Sequence, residues 1–324
     1  MILVTGANGL VGSHLITKLL QQNKQVRALY RNDPPTIAHQ NLEWVLGDIL
    51  DIIGLEEAME GITQVYHCAA LVSFNPQEKK LLRQTNIEGT ANVVNICLNM
   101  GVEKLVYISS VASLGRALKN GPINEAAKWI DSNNKSEYAR TKHLAEMEVW
   151  RGIGEGLNAV IVNPSIILGA SDWTKGSTAI FKSVYDEFPW FTDGVNGFVD
   201  VVDVVAAMVQ LMDSDIAAQR YILSSNNIRY KDLFTQIATA FKKQPPYKKV
   251  TPLLAEIVWR LETFKGKLTG QKPMLTKETA HTAQAKIYYD NNKLLKALPS
   301  FTYTPLKKSI DRICKELTEK YHLG

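Results

Sequence analysis

The sequence has few cysteines, no long apolar run and no recognisable leader segment. Its three cysteines, Cys68, Cys97 and Cys314, lie far apart among 324 residues and form no CxxC pair, so neither a disulfide framework nor a zinc site is expected. No stretch approaches the roughly 18 uncharged apolar residues of a membrane-spanning helix, and no basic segment precedes an apolar one at the N-terminus. We therefore expect a cytoplasmic protein without a membrane span or a bound metal.

The charge balance gives no sign of a nucleic-acid partner. There are 37 Lys and Arg residues against 32 Asp and Glu, which leaves a net charge of +5. The densest basic stretch, residues 242–249, contains Pro245 and Pro246 and matches no nucleic-acid-binding motif, so a solvated loop is the favoured interpretation. The expected partner is a small-molecule substrate.

Short apolar runs alternate with helical patterns through the first half of the chain. Strands alternating with helices at this spacing indicate βαβ units and a parallel sheet covered on both faces. The sequence therefore predicts an α/β fold of Rossmann type, with a doubly wound parallel sheet. The helical patterns include residues 81–98 and 136–150, and the strands are predicted at residues 2–5, 26–30, 44–46, 65–68, 105–109 and 159–163.

The composition changes after Asn163 and Pro164, where residues 170–200 become rich in Gly, Trp and Phe. Residues 198–212 then return to a strand-then-helix pattern. We predict a dinucleotide-binding lobe of residues 1–165, to which residues 198–218 return. A smaller mixed α/β substrate lobe would comprise residues 166–197 and 219–324, and the seam between the lobes would form a cleft.

A glycine-rich turn follows the first predicted strand and opens the first predicted helix. The glycines of TGANGLVG, spaced three apart, permit a tight turn, close approach of the backbone to a pyrophosphate and close packing of helix on strand. The helix N-terminus offers free N–H groups and a positive dipole to phosphates. Strand, turn and helix in this order predict a dinucleotide site formed by Thr5, Gly6, Asn8, Gly9, Leu10, Val11 and Gly12.

The end of the second strand bears on the choice between NAD and NADP. An acidic residue about 20 positions past the glycines would bind the ribose hydroxyls and repel a 2′-phosphate, but this strand ends in Tyr30 and Arg31. The Arg31 guanidinium can pair with a phosphate, so NADP is favoured, with NAD as the alternative if Asp33 binds the ribose. In GDILD, Asp48 is placed to accept from the adenine amino group beside Ile49, unless it only caps a helix.

Tyr138 and Lys142 lie four residues apart in YARTK, on one face of a predicted helix. A nearby ammonium is expected to lower the pKa of the phenol from about 10 and so prepare it for proton transfer. Such pairs are common on helix surfaces. This one, however, follows both the dinucleotide turn and a strand that ends in Ser109 and Ser110, which favours a catalytic interpretation.

With these motifs in order, the sequence resembles the short-chain dehydrogenase/reductase superfamily in its extended, epimerase-like form. The resemblance covers nearly the whole chain and rests on TGANGLVG, GDILD, HCAA, TNIEGT, VYISS, YARTK and NPSIILG. It implies that Tyr138 is the general acid/base and that Lys142 lowers its pKa and binds the nicotinamide ribose. It further implies that Ser110 binds the substrate carbonyl and that Asn86 supports a proton relay.

The same resemblance implies further cofactor contacts and an assembly. Ala69 and Ala70 would line the cofactor site together with Ser109, and the segment containing Pro164 and Ser165 would approach the nicotinamide carboxamide. Related folds often form homodimers through helices like residues 79–99 and 136–150.

Two absences separate the branches of this superfamily. Val111 and Ala112 stand where sugar-nucleotide 4,6-dehydratases carry an acidic pair, and no Arg-x-Gly-Asp element lies between residues 244 and 289. The segment VRALYRND is similar to that of dihydroflavonol-4-reductase-like proteins. The expected substrate pocket is supplied instead by aromatic residues, of which two or three should line it and the others belong to the core: Phe74, Trp129, Trp173, Phe188, Trp190, Phe191 and Phe198.

The favoured function is an NADP-dependent oxidoreductase that reduces a ketone or aldehyde of a small, largely apolar substrate, with Tyr138 as general acid. The alternative is a sugar or sugar-nucleotide epimerase that recycles NAD(P). A non-catalytic dinucleotide sensor is disfavoured because Ser110, Tyr138 and Lys142 are all present. An apolar helical face is interpreted as core or pocket lid rather than as a lipid contact; it comprises Leu253, Leu254, Ile257, Val258 and Leu261.

Overall fold

The computed structural model describes residues 1–32, 37–115, 121–130, 135–251, 253–257, 259–260 and 282–323. Its main sheet has seven strands, and every neighbouring pair is parallel. The strands are β1 (Ile2–Thr5), β2 (Val26–Tyr30), β3 (Leu42–Leu46), β4 (Gln64–His67), β5 (Lys104–Ile108), β6 (Ala159–Pro164) and β10 (Gln219–Leu223).

The strand order places a crevice beside β1. Across the sheet the order is β10-β6-β5-β4-β1-β2-β3, so the chain builds outward from β1 in one direction and then, from β4, in the other. Loops leaving the carboxyl ends of β1 and β4 therefore diverge, which is the position where open α/β sheets bind their ligands. The predicted Rossmann-type sheet is confirmed.

Helices cover both faces of the main sheet because its strands are apolar on both sides. Ile2 and Val4 of β1 pack on one face against α1 (Leu10–Gln21) and α7 (Val201–Met212). Leu3 of the same strand belongs to the core on the opposite face, as the alternation of side chains along a strand requires. The helices of that second face are α2 (Ile52–Met59), α4 (Gly89–Asn99) and α5 (Glu137–Gly154).

The predicted helix over residues 81–98 is divided in the structure. It comprises α3 (Lys79–Arg83), a single π-helical turn (Gln84–Glu88) and then α4. Such wide turns occur mostly inside α-helices and often at functional sites. Here the turn carries Asn86, whose side chain bonds the backbone of Leu71 outside the helix.

The second lobe is mixed α/β, as predicted. A three-stranded sheet has the order β11-β9-β7, and a small parallel pair joins β8 to β12. The strands are β7 (Ile166–Leu168), β8 (Trp190–Phe191), β9 (Val195–Asp200), β11 (Asn226–Arg229) and β12 (Lys248–Lys249), and the helices are α6 (Ala179–Tyr185), α8 (Tyr230–Phe241) and α10 (Leu306–Tyr321). Helix α9 (Asn292–Ala297) packs instead into the core of the main sheet through Leu294.

The structure differs from two of the predicted lobe boundaries. Strand β10 pairs with β6, so residues 219–223 join the main sheet rather than the substrate lobe; Ile222 and Leu223 are fully buried there. Helix α7 packs against the main sheet. The strand before it, which includes residues 198–200, lies instead in the three-stranded sheet.

Among the residues that the structure describes, no helix combines the length and the apolar character needed to cross a membrane. The thiols of all three cysteines are free.

Candidate active site

A cleft of about 2990 Å³ opens at the carboxyl ends of the main-sheet strands and continues along the second lobe. Its walls contain most of the residues predicted to bind cofactor or substrate. These are Gly6, Asn8, Gly9, Leu10, Val11, Gly12, Ala70, Ser109, Ser110, Tyr138, Lys142, Pro164 and Ser165.

The glycine-rich turn has the geometry of an anion cradle. Gly6 adopts a left-handed φ of +66°, and a Cβ there would lie 2.6 Å from the Ala69 nitrogen. A Cβ on Gly12 would lie 2.2 Å from the Gly6 carbonyl oxygen, so both positions require glycine. Helix α1 begins just after Gly9 with no side chain capping it, which leaves its first N–H groups for phosphate oxygens. The turn therefore fits a pyrophosphate.

A buried histidine supports this turn from below. His67 Nδ1 lies 2.7 Å from Thr5 Oγ1, which also accepts from the Ala69 backbone N–H. On its other side, His67 Nε2 lies 3.0 Å from Thr90 Oγ1. Burial, followed by the charge of Lys142, lowers the pKa of His67 to about 3, so the ring is neutral. Thr5 and Ala69 thus act beneath the cradle rather than in the described cleft wall.

The predicted nucleotide-recognition residues lie at the carboxyl ends of β2 and β3 and are not among the residues that line the described cleft. Arg31 Nη1 is 3.7 Å from Asp48 Oδ2, and Tyr30 meets Trp44 edge-on. Asp48 Oδ1 accepts from the Leu50 N–H. Helix α2 is capped by Asp51, so the alternative that Asp48 caps this helix is wrong.

Two further residues complete this region. Ile49 is buried, and its side chain fills the space where a Cβ on Gly89 would lie. Asp33, the alternative ribose ligand, lies outside the described residues.

Ser110 and Tyr138 meet inside the cleft. Ser110 follows β5 and accepts from the Ala112 N–H through its hydroxyl. The same side chain lies near enough to the Tyr138 phenol of α5 to lower its pKa. Burial raises the pKa of Tyr138 by more than the Ser110 hydrogen bond lowers it. The expectation of a lowered pKa is therefore wrong for this arrangement, because removal from water favours the neutral phenol. A neutral phenol can donate a proton.

Lys142 is buried and held by β5. Its Nζ donates to Tyr107 Oη at 3.1 Å and to the Ile108 carbonyl at 2.8 Å. Burial lowers the pKa of this ammonium to about 8, against the opposing effects of Glu146 and Cys68. Lys142 therefore loses its proton at a lower pH than an exposed lysine would.

Asn86 does not line the described cleft, but its hydrogen bonds connect two segments that form the wall of the cleft. The side chain accepts from the Leu71 N–H at 2.7 Å and donates to the Leu71 carbonyl at 3.0 Å. It also donates to Thr141 Oγ1, which in turn donates to the Tyr138 carbonyl. Asn86 thus ties the loop after β4 to the turn of α5 that carries Tyr138, and its part in a proton relay stays a prediction.

More of the seven predicted aromatic residues line the cleft than expected. Trp173 and Phe198 belong to the core of the second lobe, and Trp129 stacks on His143 at 4.2 Å between ring centroids. Phe74 meets the Tyr138 ring at 5.7 Å. Four of the seven line the cleft rather than two or three: Phe74, Phe188, Trp190 and Phe191.

The apolar helical face after β12 contributes to the same cleft. Leu254 is among the residues of its wall, which agrees with the pocket-lid interpretation, whereas Leu253 and Ile257 are exposed. Val258 and Leu261 lie outside the described residues.

Sequence reasoning missed Glu146. Its side chain is fully buried on α5 and bonds Ser109, Ser113, Asn163 and Arg220. The available signal was its spacing: Glu146 lies four residues after Lys142 and eight after Tyr138, on the same face of the helix.

Comparison with known proteins agrees with this geometry. The model of the NAD dependent epimerase/dehydratase family matches residues 2–223. The chain belongs to this family. Its members bind NAD(P), and the chain is an NAD(P)-dependent enzyme of the extended short-chain dehydrogenase/reductase type.

Two relatives and one solved structure of high similarity cover nearly the whole chain. The "Putative dihydroflavonol 4-reductase" of Synechocystis sp. is 29% identical over 305 residues, which are 91% of this chain and 88% of that protein. Cinnamoyl-CoA reductase 1 of Petunia hybrida is 26% identical over 342 residues, and the match covers 100% of this chain and 93% of that protein. The crystal structure of gox2253 matches this chain with a TM-score of 0.84 at 28% sequence identity. The match covers 99% of this chain and 98% of that chain.

The glycine cradle makes a testable prediction for this family member. Gly6→Ala should weaken NAD(P)H binding by at least about tenfold, since a Cβ there meets the Ala69 backbone and deforms the phosphate cradle. Gly101→Ala is the matched control, because Gly101 has the same φ of +66° but no atom within 4 Å of a Cβ. Fluorescence titration with NADPH measures both variants. Equal affinities for the two would contradict the cradle.

Proposed function

We propose that the protein is an NADP-dependent carbonyl reductase. The observation that carries this proposal is that Ser110 and Tyr138, whose side chains interact, both line a cleft that aromatic side chains also line. Two hydroxyl donors at one point suit an oxygen on which negative charge develops. An aromatic wall suits an uncharged organic carbonyl compound.

The cofactor residues fit a nicotinamide dinucleotide. The glycine cradle lies at one end of the cleft, and Ser165, whose buried hydroxyl has no protein partner among the described residues, lies in its wall. This free hydroxyl can bond the amide that a nicotinamide carries. When bound, the cofactor supplies the hydride that reduces the carbonyl carbon.

Side chains of the protein then supply the proton that the substrate oxygen takes up. Ser110 and Tyr138 donate hydrogen bonds to the substrate oxygen, and they stabilise its charge as the carbonyl is reduced. Tyr138, kept neutral by its burial, transfers its proton to that oxygen. The resulting tyrosinate is stabilised by the positive charge of Lys142, one helical turn away.

Arg31 supports NADP rather than NAD. Its side chain is about half exposed (48%), and its ion pair with Asp48 is 3.7 Å long. A solvated ion pair of this length contributes at most about 1 kcal/mol. Arg31 is therefore able to exchange Asp48 for the 2′-phosphate of NADP, which accepts two parallel hydrogen bonds from a guanidinium.

The substrate class follows from the cleft walls and is consistent with the relatives. Phe74 lies against Tyr138, and Phe188, Trp190 and Phe191 line the second-lobe side. Both named relatives are reductases by name. We infer a ketone or aldehyde with a largely apolar body; the family alternative is a sugar or sugar-nucleotide epimerase.

Tyr138→Phe tests the catalytic assignment. With a carbonyl substrate selected from a ketone and aldehyde panel, kcat should fall by at least about 100-fold because the proton donor is lost. NADPH affinity should stay near that of the unmodified protein. Tyr66→Phe is the control, since it removes the hydroxyl of another buried tyrosine on β4. Undiminished turnover of Tyr138→Phe would refute the assignment, and failure of the unmodified protein on every carbonyl, with tightly retained NAD, would favour the epimerase.

Arg31→Ala tests the cofactor choice. Losing charge-assisted hydrogen bonds to the 2′-phosphate costs about 1.5–3 kcal/mol, so kcat/KM for NADPH should fall by about 10- to 100-fold. The value for NADH should change by less than about twofold, because NADH lacks that phosphate. Arg31→Lys should be intermediate, since it keeps the charge but not the paired donors. An equal fall of kcat/KM for NADPH and NADH would show that Arg31 does not bind the 2′-phosphate.

A further inference from the structure

Glu146 is a charged side chain without access to solvent. It lies on α5 with 0% exposure. One carboxylate oxygen, Oε2, accepts from Ser109 Oγ at 2.6 Å and Asn163 Nδ2 at 2.8 Å, with Ser113 Oγ at 2.7 Å. The other, Oε1, accepts from Arg220 Nη1 at 2.9 Å. A buried carboxylate is costly unless it is bonded in this way.

This network keeps Glu146 ionised. Burial alone raises the pKa of the carboxyl, but the hydrogen bonds from Ser109, Ser113 and Arg220 together hold it below its usual range. Arg220 comes from β10 and also donates to the Glu125 and Ala127 carbonyls. Glu146 is therefore a fixed negative charge between α5 and the carboxyl ends of β5 and β6.

The partners of Glu146 also hold the backbone of Ser110. Asn163 Nδ2 lies 3.1 Å from the Ser110 carbonyl oxygen, and Ser113 Oγ lies 2.7 Å from the same oxygen. The Asn163 amide has one proton for this oxygen and one for the Glu146 carboxylate oxygen, and the single Ser113 proton can bond either of them. Both side chains therefore contact the carboxylate and the backbone of Ser110. Removing the carboxylate would free Ser113 and Asn163 to reorient and would loosen the turn formed by residues 109–113.

The same charge acts on Lys142. Four residues separate the two on α5, so both side chains lie on one face of the helix. The groups that face the ammonium from other elements are neutral: Tyr107 and the Ile108 carbonyl from β5, and His67 with the following Cys68 from β4. The negative charge of Glu146 opposes the loss of the Lys142 proton on burial more strongly than Cys68 does.

We propose that Glu146 is a positioning residue for this site, which fixes the turn at residues 109–113 so that Ser110 reaches Tyr138 and keeps Lys142 charged. It touches neither of the reacting hydroxyls. The inference rests on the proposed carbonyl reduction for its kinetic tests, but its effect on Lys142 is measurable without turnover.

Glu146→Gln tests the electrostatic part. The substitution keeps the size of the side chain and removes its charge, so Lys142 should lose its proton at lower pH. The alkaline limb of kcat/KM should move down by about one pH unit, and kcat should fall. Glu148→Gln is the matched control, because Glu148 lies on the same helix and pairs with Arg151 at the surface. Its profile should match the unmodified protein. An unmoved limb in Glu146→Gln would overturn the electrostatic part of the inference.

Ser113→Ala tests the positioning part and remains informative if Glu146→Gln does not fold. It removes one hydroxyl between Glu146 and Ser110 but no charge. We expect kcat to fall by about tenfold, because the variant loses roughly one hydrogen bond that orients Ser110. The alkaline limb of the pH profile and the affinity for NADPH should not change. Full activity in Ser113→Ala would overturn the positioning role.

An NMR titration separates this inference from the proposed function. In protein labelled with ¹³C at lysine Cε, the Lys142 signal is the one that Lys142→Arg removes. Its titration midpoint should lie near pH 8 in the unmodified protein and Glu148→Gln, and lower in Glu146→Gln. This result would stand even if no carbonyl were reduced, whereas identical midpoints in all three proteins would refute the link between Glu146 and Lys142.

Discussion

The organisation of the site depends on two opposite charges buried on the same helix. Lys142 and Glu146 both lie inside the protein on α5, where an unpaired charge would be strongly destabilising. Each is stabilised by groups from other parts of the chain: Lys142 by Tyr107 and Ile108 of β5, and Glu146 by Asn163 of β6 and Arg220 of β10. The requirement to bond these charges fixes α5 against three strands of the main sheet, β5, β6 and β10.

This constraint places the reactive groups. With α5 held, Tyr138 lies in its first turn beside Ser110, and Asn86 secures the loop that follows β4. The opposite side of the cleft is formed by the glycine cradle, which His67 and Thr5 support from beneath. The glycine cradle and the region around Tyr138 are thus connected through the neighbouring strands β4 and β5. Their side chains His67 and Tyr107 stack on each other.

The parts predictable from sequence are those encoded by neighbouring residues. The glycine turn, the Tyr138 and Lys142 pair and the alternating strands each depend on spacing within a few residues, and the sheet, the cleft lining and the family agree with them. Glu146 was missed because its meaning depends on Arg220, 74 positions away. Strand β10 was assigned to the wrong lobe for a similar reason, since only its pairing with β6 places it.

Burial also changed two expectations drawn from residue type alone. The expected effect of Lys142 on Tyr138 did not include the cost of removing a phenol from water, which raises the Tyr138 pKa. Among the aromatic residues, Phe188 and Phe198 look alike in sequence, yet one is exposed in the cleft wall and the other is core. Distances across the fold, rather than composition, decide such cases.

We propose that Tyr138, Ser110 and Lys142 serve hydride transfer to a carbonyl carbon with net consumption of NADPH. Deuterium at the transferable position of the nicotinamide tests it most directly, with the product of a reduced ketone or aldehyde analysed by mass spectrometry. The account predicts one deuterium on the former carbonyl carbon for each NADPH consumed. A product formed without deuterium, or a turnover that leaves the cofactor unchanged in amount, would contradict it.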